Sequence, residues 1–381
     1  MNQKLSSFAA RLRELIANRP SAIGHRQFSE LALELFSLQY EHNSAYRKIC
    51  DARKLTPEAI EHWTQIPAVP AAAFKELELT SLAPDERTAV FYSSGTTGQE
   101  PSRHFHSAES LAVYEVSLWA WFEQCVLADL PVKHHSSRCL FLTPPPNQSP
   151  HSSLVHMFET VRLKRGLSKS PFTGQVSADG SWTLDFGATI ERLMAACGAR
   201  EPLTLLGPAF SIVHLLDYLA ANNVHFRLPQ GSRVMETGGY KNRSRVLPKS
   251  GLHALISRQL GIPLHSVLCE YGMSELSSQA YDSVASGKWP VTSDGTKACH
   301  PPPVTRHFRF PPWARAQIVS PETGREVADG ETGLIRIFDL ANVFSVAGIQ
   351  TEDLAVCRGD GFELIGRAQL AEPRGCSLMT A

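Results

Sequence analysis

The 381-residue sequence predicts an α/β protein in which a mixed sheet is covered by helices. Three observations carry that expectation. Strand-like apolar runs alternate with helical patterns along residues 138–275, amphipathic helical patterns fill the N-terminal stretch, and a glycine- and hydroxyl-rich loop follows directly on the apolar pair Phe91-Tyr92. The length suits two subdomains or one large α/β domain with appendages. An apolar content of 43% with 19% charged residues fits a soluble globular chain. Lys+Arg and Asp+Glu balance at 37 each, so no basic field points to nucleic acid and no acidic field to a cationic partner. There is no run of about 18 apolar residues, and no membrane span is expected. The eight cysteines, at 50, 125, 139, 197, 269, 299, 357 and 376, form no C-x-x-C pair and suit the reduced thiols of a cytoplasmic protein.

Taken in order, Met1 to Pro20 reads as an amphipathic helix through Leu5, Phe8, Leu12, Leu15 and Ile16, without the h-region or cleavage site of a secretory signal. A second helical pattern runs from Phe28 to Tyr46, and Thr56-Pro57-Glu58 resembles a helix start. Pro67 and Pro70 impose an extended path. Ser110 to Val126 reads as a long apolar helix, Arg138 to Leu142 as a buried strand, 161–200 as a surface connection, and Leu203 to Gly207 as a strand feeding a helix from Ile212 to Leu219. His151 and His156 are five apart and lack the H-E-x-x-H pattern of a zinc site. Ligands of such a sheet sit outside the carboxyl ends of its strands.

The loop Ser93-Ser94-Gly95-Thr96-Thr97-Gly98-Gln99-Glu100-Pro101 has the makings of a phosphate cradle. Glycine lets successive backbone N–H groups turn inward into an anion-binding nest, and four hydroxyls add donors. Composition alone fits an ordinary Ser/Gly-rich surface turn equally well. The spacing S-S-G-T-T-G-x-x-P resembles the signature loop of the adenylate-forming superfamily of acyl-CoA synthetases, firefly luciferase and peptide-synthetase adenylation domains. It is no Walker loop, since no G-K-[ST] follows. Members usually carry a lysine after the proline. Here the order is Pro101-Ser102-Arg103-His104, and Arg103 is the expected source of charge, although its fork binds phosphate differently from a lysine. The S-R-H wording is similar to that of one branch, the acyl-protein synthetases of the bacterial-bioluminescence fatty-acid reductase type.

Later strings extend the resemblance. Glu236-Thr237-Gly238-Gly239-Tyr240-Lys241 is similar to a recurrent string of that branch, and in the superfamily Gly238 and Gly239 would pack on adenine. Tyr271-Gly272-Met273-Ser274-Glu275 resembles the Y-G-x-T-E motif, with Tyr271 for the adenine face, Ser274 for the α-phosphate and Glu275 for Mg²⁺. Thr351-Glu352-Asp353 resembles the Y-x-T-G-D ribose motif with glutamate in the glycine's place, and Gly366-Arg367 supplies the arginine that closes over the nucleotide. Each string alone fits a surface turn or ion pair; their order along the chain is what carries the resemblance.

The resemblance implies the large N-terminal domain of an adenylate-forming enzyme, divided as a helical layer at 1–80, an α/β domain at 81–366 and a short tail at 367–381. Fourteen residues follow Arg367, and the usual mobile C-terminal domain is expected to be lacking. The implied cofactors are ATP and Mg²⁺ and the implied substrate a carboxylic, fatty acid. Catalytic roles fall to Thr96, Arg103, Glu275 and Cys376, the last as acyl acceptor before transfer to a reductase or carrier protein. A neighbouring cation such as Arg374 lowers a thiol's pKa. An acyl- or aryl-CoA ligase, or a non-catalytic relative, would share most of these motifs.

Overall fold

Leu5, Phe8, Leu12 and Ile16 recur at helical spacing, and the first helix, α1 (Gln3–Asn18), buries all four. The computed structural model describes residues 2–18, 23–93, 100–127, 138–167, 171–240, 243–284 and 306–368. The second helical pattern divides at Asn43 into α2 (His25–His42) and α3 (Ser44–Ala52). Asn43 stops one helix and caps the next, its side chain accepting from the Tyr46 N–H. The helix start read at Thr56 is corrected to a single 3₁₀ turn at Pro57–Ala59.

The remaining elements are β1 (Val69–Pro70), α4 (Ala73–Glu76), β2 (Ala89–Tyr92), β3 (Arg103–His106), α5 (Ala108–Phe122), β4 (Arg138–Phe141), α6 (Ser153–Lys164), β5 (Gly174–Val176), β6 (Trp182–Leu184), α7 (Phe186–Ala199), β7 (Leu203–Pro208), α8 (Ala209–Ala221), β8 (Arg233–Thr237), α9 (Lys249–Leu260), β9 (Val267–Tyr271), β10 (Ala280–Val284), β11 (Arg306–Arg309), β12 (Ala314–Val319), β13 (Thr332–Asp339), β14 (Gly348–Arg358) and β15 (Gly361–Arg367). The region 161–200 is thereby corrected from a surface connection to a hairpin plus α7. Asp185 caps that helix by accepting from the Ala188 N–H, and Leu193 and Ala196 enter the core. The basic residues around 162–169 obscure this shorter pattern in the sequence.

One mixed sheet runs β12-β13-β14-β15-β11-β10-β9-β8-β7-β4, with β1 added in parallel along β14. Strands β4, β7, β8 and β9 run parallel to one another, and the rest of the path, from β9–β10 onward, is antiparallel. The parallel strands are buried on both faces, as strands covered by helices on each side must be, and are largely apolar except near the carboxyl ends of β8 and β9. Leu140, Leu205, Val234 and Val267 pack against α7, α8 and α9, whereas Phe141, Leu206 and Met235 pack against Tyr114, Leu118 and Phe122 of α5 and Met157 and Phe158 of α6.

The N-terminal helices are tied into the sheet. Gln39 donates to the carbonyls of Asn342 and Val343 and accepts from the Ala347 N–H, Asn43 donates to the Ser345 carbonyl, and the Tyr46 hydroxyl donates to the Pro67 carbonyl. These bonds satisfy the backbone of the buried loop 340–347, which has no strand partner of its own.

Candidate active site

Strands β2 and β3 are antiparallel, with Tyr92 opposite Arg103, so the hydroxyl-rich loop is the tip of a hairpin. Ser94, Gly95, Thr96, Thr97 and Gly98 lie outside the described residues. The base of the loop is closed by two bonds: the Ser93 N–H donates to the Ser102 carbonyl at 3.2 Å, and the Ser102 N–H donates to the Ser93 hydroxyl at 2.9 Å. One of the four counted hydroxyls therefore shapes the loop.

Alternation along β3 separates its side chains. Ser102 and His104 point inward and are buried. The Ser102 hydroxyl donates to Glu275 Oε1, and His104 Nδ1–H donates to the Ser274 carbonyl at 2.9 Å. Burial of the His104 ring pushes its pKa down to about 4. Arg103 takes the other face, reaching the Lys75 carbonyl at 3.4 Å and Glu78 at 3.9 Å, with its guanidinium near the Phe105 ring.

Glu275 lies beyond the carboxyl end of β9, buried, with its Oε2 accepting from the Ser274 hydroxyl at 3.0 Å. Asn342 donates to the Glu275 carbonyl at 2.9 Å. Next to it, Asp339 accepts from the Ser277 N–H, the Ala341 N–H and the Ser278 hydroxyl, and burial raises its pKa to about 6 despite those donors.

At the end of β8, Gly238 has a φ of +65°, and a Cβ placed on it or on Gly239 would meet nothing within 4 Å. The turn is thus open above its backbone, as close approach of a flat ring requires. Thr237 donates its hydroxyl to Glu270, whose carboxyl is pushed up to about 7 by burial. Gly272 has a separate reason to be glycine, because a Cβ there would stand 2.4 Å from Glu270 Oε1. Tyr240 turns its hydroxyl to the Leu247 carbonyl, and Lys241 is outside the described residues.

The third group assembles from three distant segments. The Tyr271 hydroxyl donates to Asp353 Oδ2 at 2.8 Å, while its ring packs among Phe308, Phe310 and Phe362. Arg367 is the Cα partner of Asp353 across β14 and β15 and stands 3.7 Å from Oδ1, with a largely exposed side chain. Burial raises the Asp353 pKa. The structure therefore brings Tyr271, Asp353 and Arg367 together, and Ser274 and Glu275 together with Ser93. Sequence reasoning assigned no role to Ser102, His104, Thr237, Glu270, Asp339 or Asn342; the first three stand in strings that carry the resemblance, and the last three are polar residues inside or beside apolar strings.

Cys376, the acceptor expected from the sequence, lies outside the described residues, as does Cys299. Burial pushes the thiols of Cys50 and Cys139 up to about 11 and that of Cys125 to about 12, and raises Cys197, Cys269 and Cys357 as well. None of these is poised as a thiolate.

The polar groups fit ATP with Mg²⁺. Among the described residues no cluster of three His, Cys, Asp or Glu forms a cage. Magnesium arriving on phosphates needs only one or two carboxylates, and Glu275 offers one. No helix among the described residues is long and apolar enough to cross a membrane.

A mixed sheet between helical layers, with these groups at its carboxyl ends, is the α/β fold of the adenylate-forming enzymes. The chain is similar to 2-hydroxyisobutyryl-CoA ligase in the postadenylation state with 2-HIB-AMP, at TM-score 0.62 and 11% identity over 93% of this chain and 70% of that one. It is equally similar to an open conformation of that ligase with 2-HIB-AMP and CoA, at TM-score 0.61 and 12% identity over 95% and 79%. The chain belongs to the acyl-protein synthetase, LuxE family, whose model matches residues 15–381. It is 22% identical over 373 residues to the long-chain-fatty-acid--luciferin-component ligase of Aliivibrio fischeri, covering 92% of this chain and 87% of that protein. The ligase of the same name from Vibrio harveyi is also 22% identical, over 358 residues, with 92% and 86% covered. The class chemistry is ATP-dependent adenylation of a carboxylic acid.

Proposed function

We propose that this chain activates a carboxylic acid as its acyl-adenylate and passes the acyl group to a thiol. The observation that supports this most is the run of contacts around the carboxyl end of β9, where Glu270 is bonded to Thr237 beside the open Gly238-Gly239 turn, Tyr271 is bonded to Asp353 opposite Arg367, and Glu275 is held by two hydroxyls. In the first step a carboxylate oxygen of the acid attacks the α-phosphorus of ATP, and the bond to pyrophosphate breaks. Ser94, Gly95, Thr96, Thr97 and Gly98 are assigned to the phosphates, Ser274 to the α-phosphate, and Asp353 with Arg367 to the ribose hydroxyls. Mg²⁺ when bound supplies positive charge to the phosphates, and Glu275 is the residue to hold it. The work of these residues is positioning and charge stabilisation.

In the second step a thiolate attacks the acyl carbonyl carbon and AMP leaves. Burial raises the pKa of every described cysteine, which favours Cys376, Cys299 or a thiol from outside the chain as the acceptor. The family's description and the relatives' names favour an acyl-protein product, for which Cys376 is the assigned acceptor and a long-chain fatty acid the assigned substrate. The likeness in fold to a CoA ligase favours a second reading, release of a free CoA thioester.

The test is intact-protein mass after incubation with ATP, Mg²⁺ and a panel of carboxylic acids, beside Cys376→Ser, then neutral hydroxylamine. A hydroxylamine-labile gain absent from the variant establishes the acyl-protein product. Acid-dependent pyrophosphate release without a mass gain, with CoA-dependent AMP formation, establishes the second reading. No pyrophosphate with any acid rejects adenylation itself.

A further inference from the structure

The hairpin that carries the loop and the turn that carries Glu275 lie 173 residues apart in sequence, yet two successive inward positions, Ser102 just before β3 and His104 within it, are bonded to two successive residues of that turn. Ser102 donates to the Glu275 carboxylate, and His104 donates to the carbonyl of Ser274. Ser102 and His104 are 1% and 3% exposed, so water does not compete for either bond. Ser102 is also one half of the closure at the base of the loop, through its N–H and carbonyl to Ser93. A single residue thereby joins the base of the loop to one oxygen of the carboxylate, while the Ser274 hydroxyl takes the other oxygen and Asn342 the backbone.

We infer that Ser102 and His104 form a latch that ties the Glu275 carboxylate to the base of the β2–β3 hairpin, making both of them positioning residues for metal-assisted ATP binding. The inference rests on the adenylation reading above. An ionised carboxylate has about four lone-pair sites, so two hydroxyl donors fix its plane and leave acceptor capacity for a cation. Without the Ser102 hydroxyl, the carboxylate keeps, among the described residues, the donor on adjacent Ser274 and loses its tie to the base of the hairpin. The same alternation that turns Ser102 and His104 inward turns Arg103 away to Lys75 and Glu78, so this stretch links the two motifs through neutral donors.

The test is calorimetric titration of the full-length protein with ATP, once with excess Mg²⁺ and once in EDTA, for wild type, Ser102→Ala, His104→Gln and Glu275→Gln. The expected result for Ser102→Ala is a Kd for Mg²⁺-ATP weaker by roughly tenfold, the usual scale for a hydrogen bond to a charged group, with less than about a twofold change in EDTA. In a Glu275→Gln background, Ser102→Ala should add no further loss. Equal weakening with and without Mg²⁺ would assign Ser102 to the loop alone and overturn the latch, as would an unchanged Mg²⁺-ATP affinity. Should Ser102→Ala lose its cooperative unfolding transition, His104→Gln carries the same comparison through the Ser274 carbonyl. A wild-type protein that binds no ATP in either medium overturns the adenylation reading and the latch together, whereas wild-type binding strengthened by Mg²⁺ and unaltered in both variants overturns only the latch.

Discussion

The two faces of β8 and β9 bury carboxylates in opposite ways. On the α9 side, Glu236 pairs with His253 at 3.1 Å, and Asp282 meets Arg306 at 3.1 Å and Lys249 at 3.8 Å. One residue further along each strand, on the other side, Glu270 is held by Thr237, and beyond it Glu275 by Ser102 and Ser274 and Asp339 by a hydroxyl and amides. On the first face the acids meet side-chain nitrogens of His253, Arg306 and Lys249. On the second the described partners are neutral donors, and burial raises Glu270 and Asp339. Buried acids held by neutral donors, beside an open turn, mark a site that can receive an incoming charge. The difference separates carboxylates that hold the protein together from carboxylates that serve a ligand.

The largest expected effect breaks the pairing on the first face. His253→Leu leaves the buried Glu236 without the His253 hydrogen bond and should cost about 3 kcal/mol in urea unfolding, while the Mg²⁺-ATP affinity of the folded fraction stays within about twofold. If affinity falls in step with stability, the two faces are not separable. On the other face, Glu275→Gln keeps shape and hydroxyl partners but removes charge. It should lower acid-dependent pyrophosphate release by about 100-fold, with unfolding free energy changed by less than about 1 kcal/mol.

Glu270 sharpens the comparison through pH. Its folded pKa of about 7 lies above the ordinary 4.5, so the folded state binds more protons than the unfolded state between those values. Stability therefore falls as pH rises from about 4.5 to about 7 and levels off above. Glu270→Gln should remove a fall on the order of 2 kcal/mol across that window, measured by urea unfolding at pH 5 and pH 8. Asp339 continues to titrate in the same sense between 3.8 and about 6, so a smaller slope remains in the variant. An unchanged slope would refute the assignment to Glu270. The smallest expected effect is on the ribose group: Asp353→Asn should raise the KM for ATP by roughly tenfold at nearly constant kcat, since the amide keeps the shape but accepts fewer hydrogen bonds.

Much of this architecture was legible in the chain. The apolar runs of β4 and β7 and the helical spacing of α1, α5 and α8 follow from local periodicity, and the order of the glycine, Tyr271–Glu275 and Asp353–Arg367 strings identified the superfamily. Helix α7 was hidden because its apolar stripe is short and basic residues precede it. The break at Asn43 was hidden because apolar spacing continues across it, and only the cap geometry shows the stop.

What the chain's order of residues decides is which chemical groups are present: a hydroxyl loop, a double glycine, a glutamate after a tyrosine turn, an aspartate and an arginine. Those follow from residue type and short spacing, and they define a class of chemistry. Which groups touch was decided by pairing across long stretches of chain. Tyr271 reaches Asp353 over 82 residues, Ser102 reaches Glu275 over 173 and Gln39 reaches Asn342 over 303. The physical reason is that strand register sets which side chain faces which layer, so a shift of one residue would send Ser102 and Glu270 to the opposite faces and Arg103 and Glu236 to theirs.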